Sequence, residues 1–514
     1  MRPGTTSTLL FAFATAIASS LSGASEPVTS SNVVPLEAAV LTGNETIQTD
    51  FGTLQLNETY LDKDSINKLN DQLALQRAID LYQWSLPLTT FQMWYKAHSE
   101  VYGGKDLDFV EYDSFNEKVG ILTANATTPY IITWVDLSKT GPVVIDYPAG
   151  PSAGSIMSFY QLSLSDLGLT GPDKGKGGKY LVVPPGYDLA NVDAEDAFVV
   201  QATTNKLLIG TRFLSTDEAL TEKMKESLLV GKHGEPLKPA KFISNTNKRF
   251  KGAPSRGLAY FELLHETIQN EPVIPQIIIF NTYLKYLGIE SGKPFAPTDK
   301  QKVMFARAAN LGELMSRANQ MKPRQDQPYY DNSNWYRLLS NFPVTLFNKD
   351  FYYLDESDEY YYEAVTVTKG MQSNLPGPGT TSYLTTKQDS NGHFLSGSRT
   401  YKLHLPAGIP ASNFWALTLY SEDTRGFIDN VDAKNKLRAT SLDSRDKYFA
   451  TNADGSVDLY VGPRPPAGKE ANWLQTQAGE GWFPLFRFYG TEQPFFNKTW
   501  QIGEFELMEQ IVNR

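Results

Sequence analysis

The sequence predicts a mixed α+β protein with an N-terminal mostly-β domain, a helical middle region and a C-terminal jelly-roll-like β-sandwich. Three observations carry this expectation. The chain has 514 residues, 41% hydrophobic and 12% aromatic, which is too long for one ordinary core and apolar enough to bury a large interior. Its hydrophobic period changes twice: β-like runs broken by Gly and Pro fill residues 107–214, helical spacing takes over between about 216 and 320, and strand-like runs then continue to Phe505. Asp454-Gly455, a tight-turn dipeptide ahead of Val457-Asp458-Leu459-Tyr460-Val461, marks the last part as strands joined by turns.

Residues 1–24 read as a secretory signal, because Arg2 supplies a positive start, residues 9–18 are apolar, and Ser22-Gly23-Ala24 offers small residues for cleavage. The expected localisation is secreted. No membrane span is expected after cleavage, since the apolar run is too short to cross a bilayer. Residues 25–62 form a Ser/Thr/Asn-rich polar leader suited to an extended segment or a strand laid on the next domain.

The N-terminal domain is expected over residues 63–215. It opens with Leu75, Ala78, Ile79, Tyr82 and Leu86 at helical spacing, and Pro87 is expected to stop or kink that helix. Strands such as Tyr180-Leu181-Val182-Val183 and Ala197-Phe198-Val199-Val200 follow. In the helical region, residues 216–323, Thr298-Asp299-Lys300-Gln301 makes a capping box ahead of the stripe Met304, Ala308, Leu311, Met315 and Ala318. Residues 273–286 are apolar almost all round, and a helix there needs cover from other helices or from another subunit. A homo-oligomer is therefore expected. Residues 324–514 are assigned to the sandwich, including early the aromatic-acidic run from Phe351 to Tyr362.

In the last quarter Phe414-Trp415-Ala416-Leu417-Thr418-Leu419-Tyr420, Asn452-Ala453-Asp454-Gly455-Ser456, Asn472-Trp473-Leu474 and Arg487-Phe488-Tyr489 follow in order. Upstream stand Asn125-Ala126-Thr127-Thr128-Pro129-Tyr130, the block Trp134-Val135-Asp136-Leu137, and Gly141-Pro142-Val143-Val144-Ile145-Asp146-Tyr147-Pro148. Together they resemble a two-domain family of paired domains of unknown function, number 1254 at the N-terminal side and number 1214 at the C-terminal side. Thr127 stands where the family usually has Asp, so any role that Asp plays in relatives is missing here. The resemblance implies the architecture, including the C-terminal sandwich, and implies no reaction.

A net charge of -10 argues against nucleic acid or an anionic membrane surface as principal partner, because both reward clustered Lys and Arg. With no cysteine, thiol catalysis, thiolate metal sites and disulfides are excluded. Asn44, Asn57, Asn125 and Asn497 head Asn-x-Ser/Thr acceptors, the first two in the polar leader and the others in or beside domain patterns.

Gly150-Pro151-Ser152-Ala153-Gly154 satisfies the serine-hydrolase pattern, but β-like residues follow it and Pro151 restricts the turn, so an interstrand loop is expected. The Gly- and Lys-rich residues 170–179 also precede a strand, which favours a hairpin or subunit-contact loop over a phosphate cradle. Glu262 and His265 share a helix face as half of a di-metal motif whose second copy is absent. His98 and His233 have no supporting neighbours in sequence.

The C-terminal domain offers the best local supply of acid-base groups. His393 and His404 lie near Asp389 and Asp423 in sequence, while Arg399, Arg438 and Arg487 could pair with Asp454 or grip an anion. The candidate catalytic set is His393, His404, Asp423, Asp454 and Arg487, with one of the imidazoles expected in a pocket beside one of the charged groups. These ligand types are compatible with a divalent metal, although no motif specifies one or any other cofactor. The expected function is a secreted enzyme acting on a small molecule or glycoconjugate by hydrolytic or acid-base chemistry, in a specialised metabolite pathway. The alternative is a non-catalytic carbohydrate or cell-surface binder using Trp415, Trp473, Trp482 and Trp500 as platforms, with Trp415 favoured as core.

Overall fold

The computed structural model describes residues 33–508 except 116, 118–119, 193, 195, 273, 275–276, 322–327, 339–351, 366–370, 372–374, 378–379, 430–440 and 448. The expected signal, the start of the leader and Arg438 lie outside the described residues. The chain divides into two units, the first ending at Leu73 and the second running from Ala74.

In the first unit the expected extended leader is instead a small sheet, ordered Val33–Pro35, Glu45–Thr49, Gly52–Asn57 and Tyr60–Leu61. Alternation explains it: Ile47, Leu54 and Leu56 share one buried cluster with Val34 and Leu69. The Thr49 hydroxyl donates to the Gly52 carbonyl and closes the hairpin.

The helix Lys63–Glu100 runs through Pro87, against expectation. Proline removes one N–H, the one that would reach the Gln83 carbonyl; around it the hydroxyls of Ser85, Thr89 and Thr90 donate to the carbonyls of Leu81, Ser85 and Leu86. Gln161 donates to the Pro87 carbonyl itself at 3.2 Å. The buried residues Leu81, Trp84, Leu86, Leu88 and Phe91 then hold the helix in one piece.

The N-terminal β-domain has two sheets. One is ordered Phe242–Ser244, Phe109–Tyr112, Tyr130–Asp136, Lys206–Phe213, Ser152–Ser158 and Ser163–Gly168. The other is ordered Phe198–Gln201, Gly178–Val183, Val143–Tyr147, Leu229–Lys232 and Lys238–Pro239. Ile131, Val135, Leu207 and Ile209 from the first sheet share a core with Val143, Ile145, Tyr180 and Val182 from the second. Strands beyond residue 215 complete both sheets, so the β-domain continues past the expected boundary.

The middle helices are Glu218–Glu226, Leu258–Ile268, Ile278–Tyr286 and Asp299–Gln320. The capping box at Thr298 and Gln301 is present. The aromatic-acidic run yields a further helix, Leu354–Glu363, rather than strands. Asp355 and Glu356 suit its positive N-terminal end, and Tyr360, Tyr361 and Tyr362 are all buried in the central cluster.

The C-terminal sandwich pairs a sheet ordered Tyr336–Arg337, Thr381–Thr385, Trp482–Thr491, Ala411–Ser421 and Ser441–Asp443 with one ordered Trp473–Gln475, Val457–Gly462, Tyr401–Leu405 and Phe505–Leu507. Trp415, Leu417, Phe486 and Phe488 meet Leu403, Leu459 and Val461 in its core. Residues of opposite parity point away from that core: Tyr383, Tyr420, Phe483 and Leu485 join the same cluster as Ile132, Trp134, Met157 and Leu208 of the N-terminal domain. The two sandwiches thus share a third core built from one outer face of each. Among the described residues no helix is long and apolar enough to cross a membrane.

Candidate functional site

Between those outer faces lies a cavity of about 200 Å³. Its centre of charge is Arg487. Along Trp482–Thr491, Trp482, Phe486 and Phe488 fill the sandwich core, so alternation sends Arg487 to the opposite face with Phe483 and Leu485. Its register neighbours are Tyr383 and the small Ala416. Arg487 is only 3% exposed.

The Arg487 Nη2 donates to the Thr123 carbonyl at 3.1 Å. Its guanidinium carbon lies 5.9 and 5.8 Å from the ring centres of Tyr383 and Tyr420. Nη1 is buried without a hydrogen-bond partner. Burial opposes its charge, but Tyr420, Tyr489, Tyr130 and Tyr383 outweigh burial and hold its pKa above the ordinary value. Among the described residues no carboxylate forms an ion pair with it.

A second cation comes from the other sheet. Arg212, near the end of Lys206–Phe213, lines the cavity with its guanidinium carbon 5.3 Å from the Tyr130 ring centre. The Tyr130 hydroxyl accepts the Asn125 N–H at 3.1 Å, which leaves its proton free to face a ligand. Burial pushes the Tyr383 phenol up to about 12, although Arg212 and Arg487 pull it down. Ile132, Met157, Leu208 and Leu485 supply apolar wall, and Ser155 and Glu363 also line the space. Gly154 and Gly210 lie so close that a Cβ on Gly154 would meet the Gly210 carbonyl oxygen at 2.5 Å. Only glycine fits there.

The five residues chosen from sequence are not brought together. Arg487 lines this cavity and Asp423 a second one. His393 is exposed, with Nδ1 3.7 Å from Asp389, whose Oδ1 caps the turn by accepting the N–H groups of Asn391 and His393. The His404 Nδ1 meets Asp458 at 2.7 Å on the exposed face of Tyr401–Leu405, with Lys402 on the same carboxylate. Asp454 accepts from the Ser456 N–H and hydroxyl in an exposed turn. Neither imidazole lines either cavity. The expected shared pocket is corrected accordingly: Asp389 and Asp454 serve local turns, Asp458 pairs with His404 and Lys402, and Asp423 is bonded to Arg256 and Arg317.

Other motifs resolve in the same way. Ser152 opens a strand and is fully buried, so no exposed elbow forms. In the Gly/Lys loop the Asp173 carboxylate accepts from the N–H groups of Gly168 and Gly175 and from the Tyr180 hydroxyl, occupying donors an anion would need. His265 Nε2 lies 2.7 Å from the Lys293 carbonyl, and buried His98 contacts the Lys105 carbonyl. Among the described residues no cluster of three or more His, Cys, Asp or Glu could hold a metal. Trp415, Trp473, Trp482 and Trp500 are all buried in the sandwich core or against its edge, so the expected aromatic platform is absent from them. Asn125 is 2% exposed, and its side chain accepts from the Thr127 N–H and hydroxyl, leaving no room for a glycan.

Sequence reasoning reached Arg487 but missed Arg212, Tyr130, Tyr383 and Glu363. A signal for Arg212 existed, since it is one of two charges, with Lys206, in the otherwise largely apolar strand Lys206–Phe213. Tyr383 carries no such mark.

Residues 109–228 match the family described as Protein of unknown function (DUF1254), and residues 380–493 match Protein of unknown function (DUF1214). No curated protein matches the chain. Among solved structures, the VPA0106 protein from Vibrio parahaemolyticus is 17% identical with a TM-score of 0.48, covering 85% of this chain and 100% of that one. A putative uncharacterized protein from Burkholderia cenocepacia is 13% identical with a TM-score of 0.36, covering 86% of this chain and 96% of that one. Arg212 and Tyr130 belong to the first matched segment, Tyr383 and Arg487 to the second, and the chain carries both domains of the pair in N- to C-terminal order.

Proposed function

We propose that the protein binds a small, largely apolar organic anion in the cavity between its two domains. The observation that carries this reading is Arg487: a buried guanidinium with no carboxylate and with Nη1 unpartnered is costly to keep unless a ligand completes it. Arg212 and the Tyr130 hydroxyl offer further donors, and the apolar wall suits a hydrocarbon body. An engineered apolar cavity of about 150 Å³ holds benzene, so a ligand near the size of benzoate fits this one. Calorimetric titration with benzoate and hexanoate should show saturable binding, with benzamide and hexanamide much weaker. Equal affinity for acids and neutral amides would overturn the reading.

A second reading, hydrolytic or acid-base turnover of such a ligand, is favoured by Glu363 and Ser155 on the same cavity wall. Mass spectrometry after incubation with methyl benzoate tests it, because release of benzoate above the buffer rate separates an enzyme from a binder. Self-association belongs to this proposal too: Ile278 and Ile279 are 63% and 51% exposed at the start of their helix, and light scattering should show a dimer or larger species. A strict monomer at micromolar concentration would refute that part.

A further inference from the structure

A second cavity, of about 750 Å³, is lined by the loop 249–256, by Glu313 and Arg317 of the helix Asp299–Gln320, and by the turn after Ala411–Ser421. Most of its charges satisfy one another. Arg256 bonds both Glu313 and Asp423, Arg317 bonds the same two carboxylates, and Arg249 holds Asp429. Arg425 differs. It is 3% exposed, forms no ion pair among the described residues, and has both Nε and Nη1 without a hydrogen-bond partner.

Its surroundings fix the guanidinium in place. The Arg425 N–H donates to the Ser421 carbonyl and its own carbonyl accepts from Thr123 at 2.8 Å. The guanidinium carbon is 4.9 Å from the Tyr362 ring centre and 4.7 Å from that of Phe483. The backbone is held at φ +59°, a left-handed conformation that disfavours any side chain but glycine. Packing alone would be served better by an apolar residue, since an unpaired buried charge is destabilising. The two vacant donors, Nε and Nη1, lie on opposite edges of the guanidinium, so each is open to an oxygen acceptor of its own.

We propose that this second cavity binds the oxyanion group of a polar ligand, a phosphate or a carboxylate, on Arg425. The site is separate from the Arg487 cavity, because the two arginines line different cavities with different walls: ion pairs here, hydrocarbon there. The cavity's volume accommodates a ligand larger than the free ion.

Titrating the full chain with inorganic phosphate and, separately, with acetate at constant ionic strength tests the proposal by calorimetry. Saturable binding of phosphate alone identifies a phosphate site, and acetate binding identifies a carboxylate site here only where Arg425→Gln abolishes it, because the Arg487 cavity is itself proposed to take carboxylates. Arg425→Gln should weaken the bound ion at least about 30-fold, and Arg425→Lys should retain part of the affinity because charge survives with fewer donors. No saturable binding of either ion to the wild-type chain overturns the proposal, even where the variants fail to fold. So does equal binding by a folded Arg425→Gln protein.

Discussion

Replacing Arg487 by Met tests whether the guanidinium exists for a ligand or for the fold. Met keeps the apolar stem and removes the charge. The substitution loses the hydrogen bond to the Thr123 carbonyl, about 1.5–3 kcal/mol for a charged donor. The contacts with Tyr383 and Tyr420 lie near the outer limit of cation-π range and add about 1 kcal/mol together. Against this, relief of an unpaired buried charge returns several kcal/mol, about the same size. The net change should stay within about 2 kcal/mol. A unit of roughly 440 residues, at about 2.1 cal/mol/K each, then shifts its Tm by only about 2 °C.

Ligand binding behaves differently. Benzoate at about 100 times its Kd adds roughly 2.7 kcal/mol to wild-type stability, a Tm rise of about 3 °C for a unit this size. Removing one partner of a buried charge pair costs about 2 kcal/mol or more, so the variant's Kd should weaken at least about 30-fold and its Tm should no longer respond. Scanning calorimetry with and without benzoate reads both effects. If the variant loses more than about 5 °C without ligand, a drop of over 4 kcal/mol by the same conversion, and wild type shows no benzoate response, Arg487 is a structural staple between the domains and the binding proposal is wrong.

The remaining predictions concern acid stability, the sandwich core and processing. Burial opposes the charge of Glu313, but Arg256 and Arg317 outweigh it and hold its carboxyl below the usual range; stability from this group is therefore complete above about pH 4.5 and lost as pH falls through the lowered value. Urea unfolding of Glu313→Gln should show a flatter decline on the acid side than wild type, and identical slopes would refute the assignment. Trp473→Ala should destabilise by about 3–5 kcal/mol, because the indole is buried and donates to the Gly462 carbonyl; a folded variant of unchanged Tm would restore Trp473 as a surface platform. Peptide mapping after expression in a eukaryotic secretory host should leave Asn125 unmodified, whereas Asn44, Asn57 and Asn497 are exposed; the mature chain should begin near Ser25, and intact Met1 on soluble cytosolic protein would refute secretion.

What was legible in the sequence is what has a short period. The near-continuous apolar run Trp482-Phe483-Pro484-Leu485-Phe486-Arg487-Phe488 suits a strand buried on both faces and leaves Arg487 conspicuous as its one charge. The helix through Pro87 was not, because what carries it past the proline is tertiary burial of Trp84, Leu86, Leu88 and Phe91, which no local pattern announces. The histidines misled for a related reason: turn-forming acids such as Asp389 and Asp454 sit close in sequence to imidazoles that never reach a cavity.

The polar link between the domains was illegible because much of it runs through one backbone segment. Thr123 donates its N–H to the Arg425 carbonyl and accepts from the Arg487 guanidinium, and the next carbonyl, that of Ala124, receives the Tyr420 hydroxyl. Thr123 itself has φ +47°, a conformation its β-branched side chain resists. Two chain-distant cations are thus fixed through one strained residue, whose contacts are main-chain atoms that any side chain would supply. No composition or spacing rule marks such a residue. Its hydrogen bonds do, and they tie the position of Arg487 in the first cavity to that of Arg425 in the second.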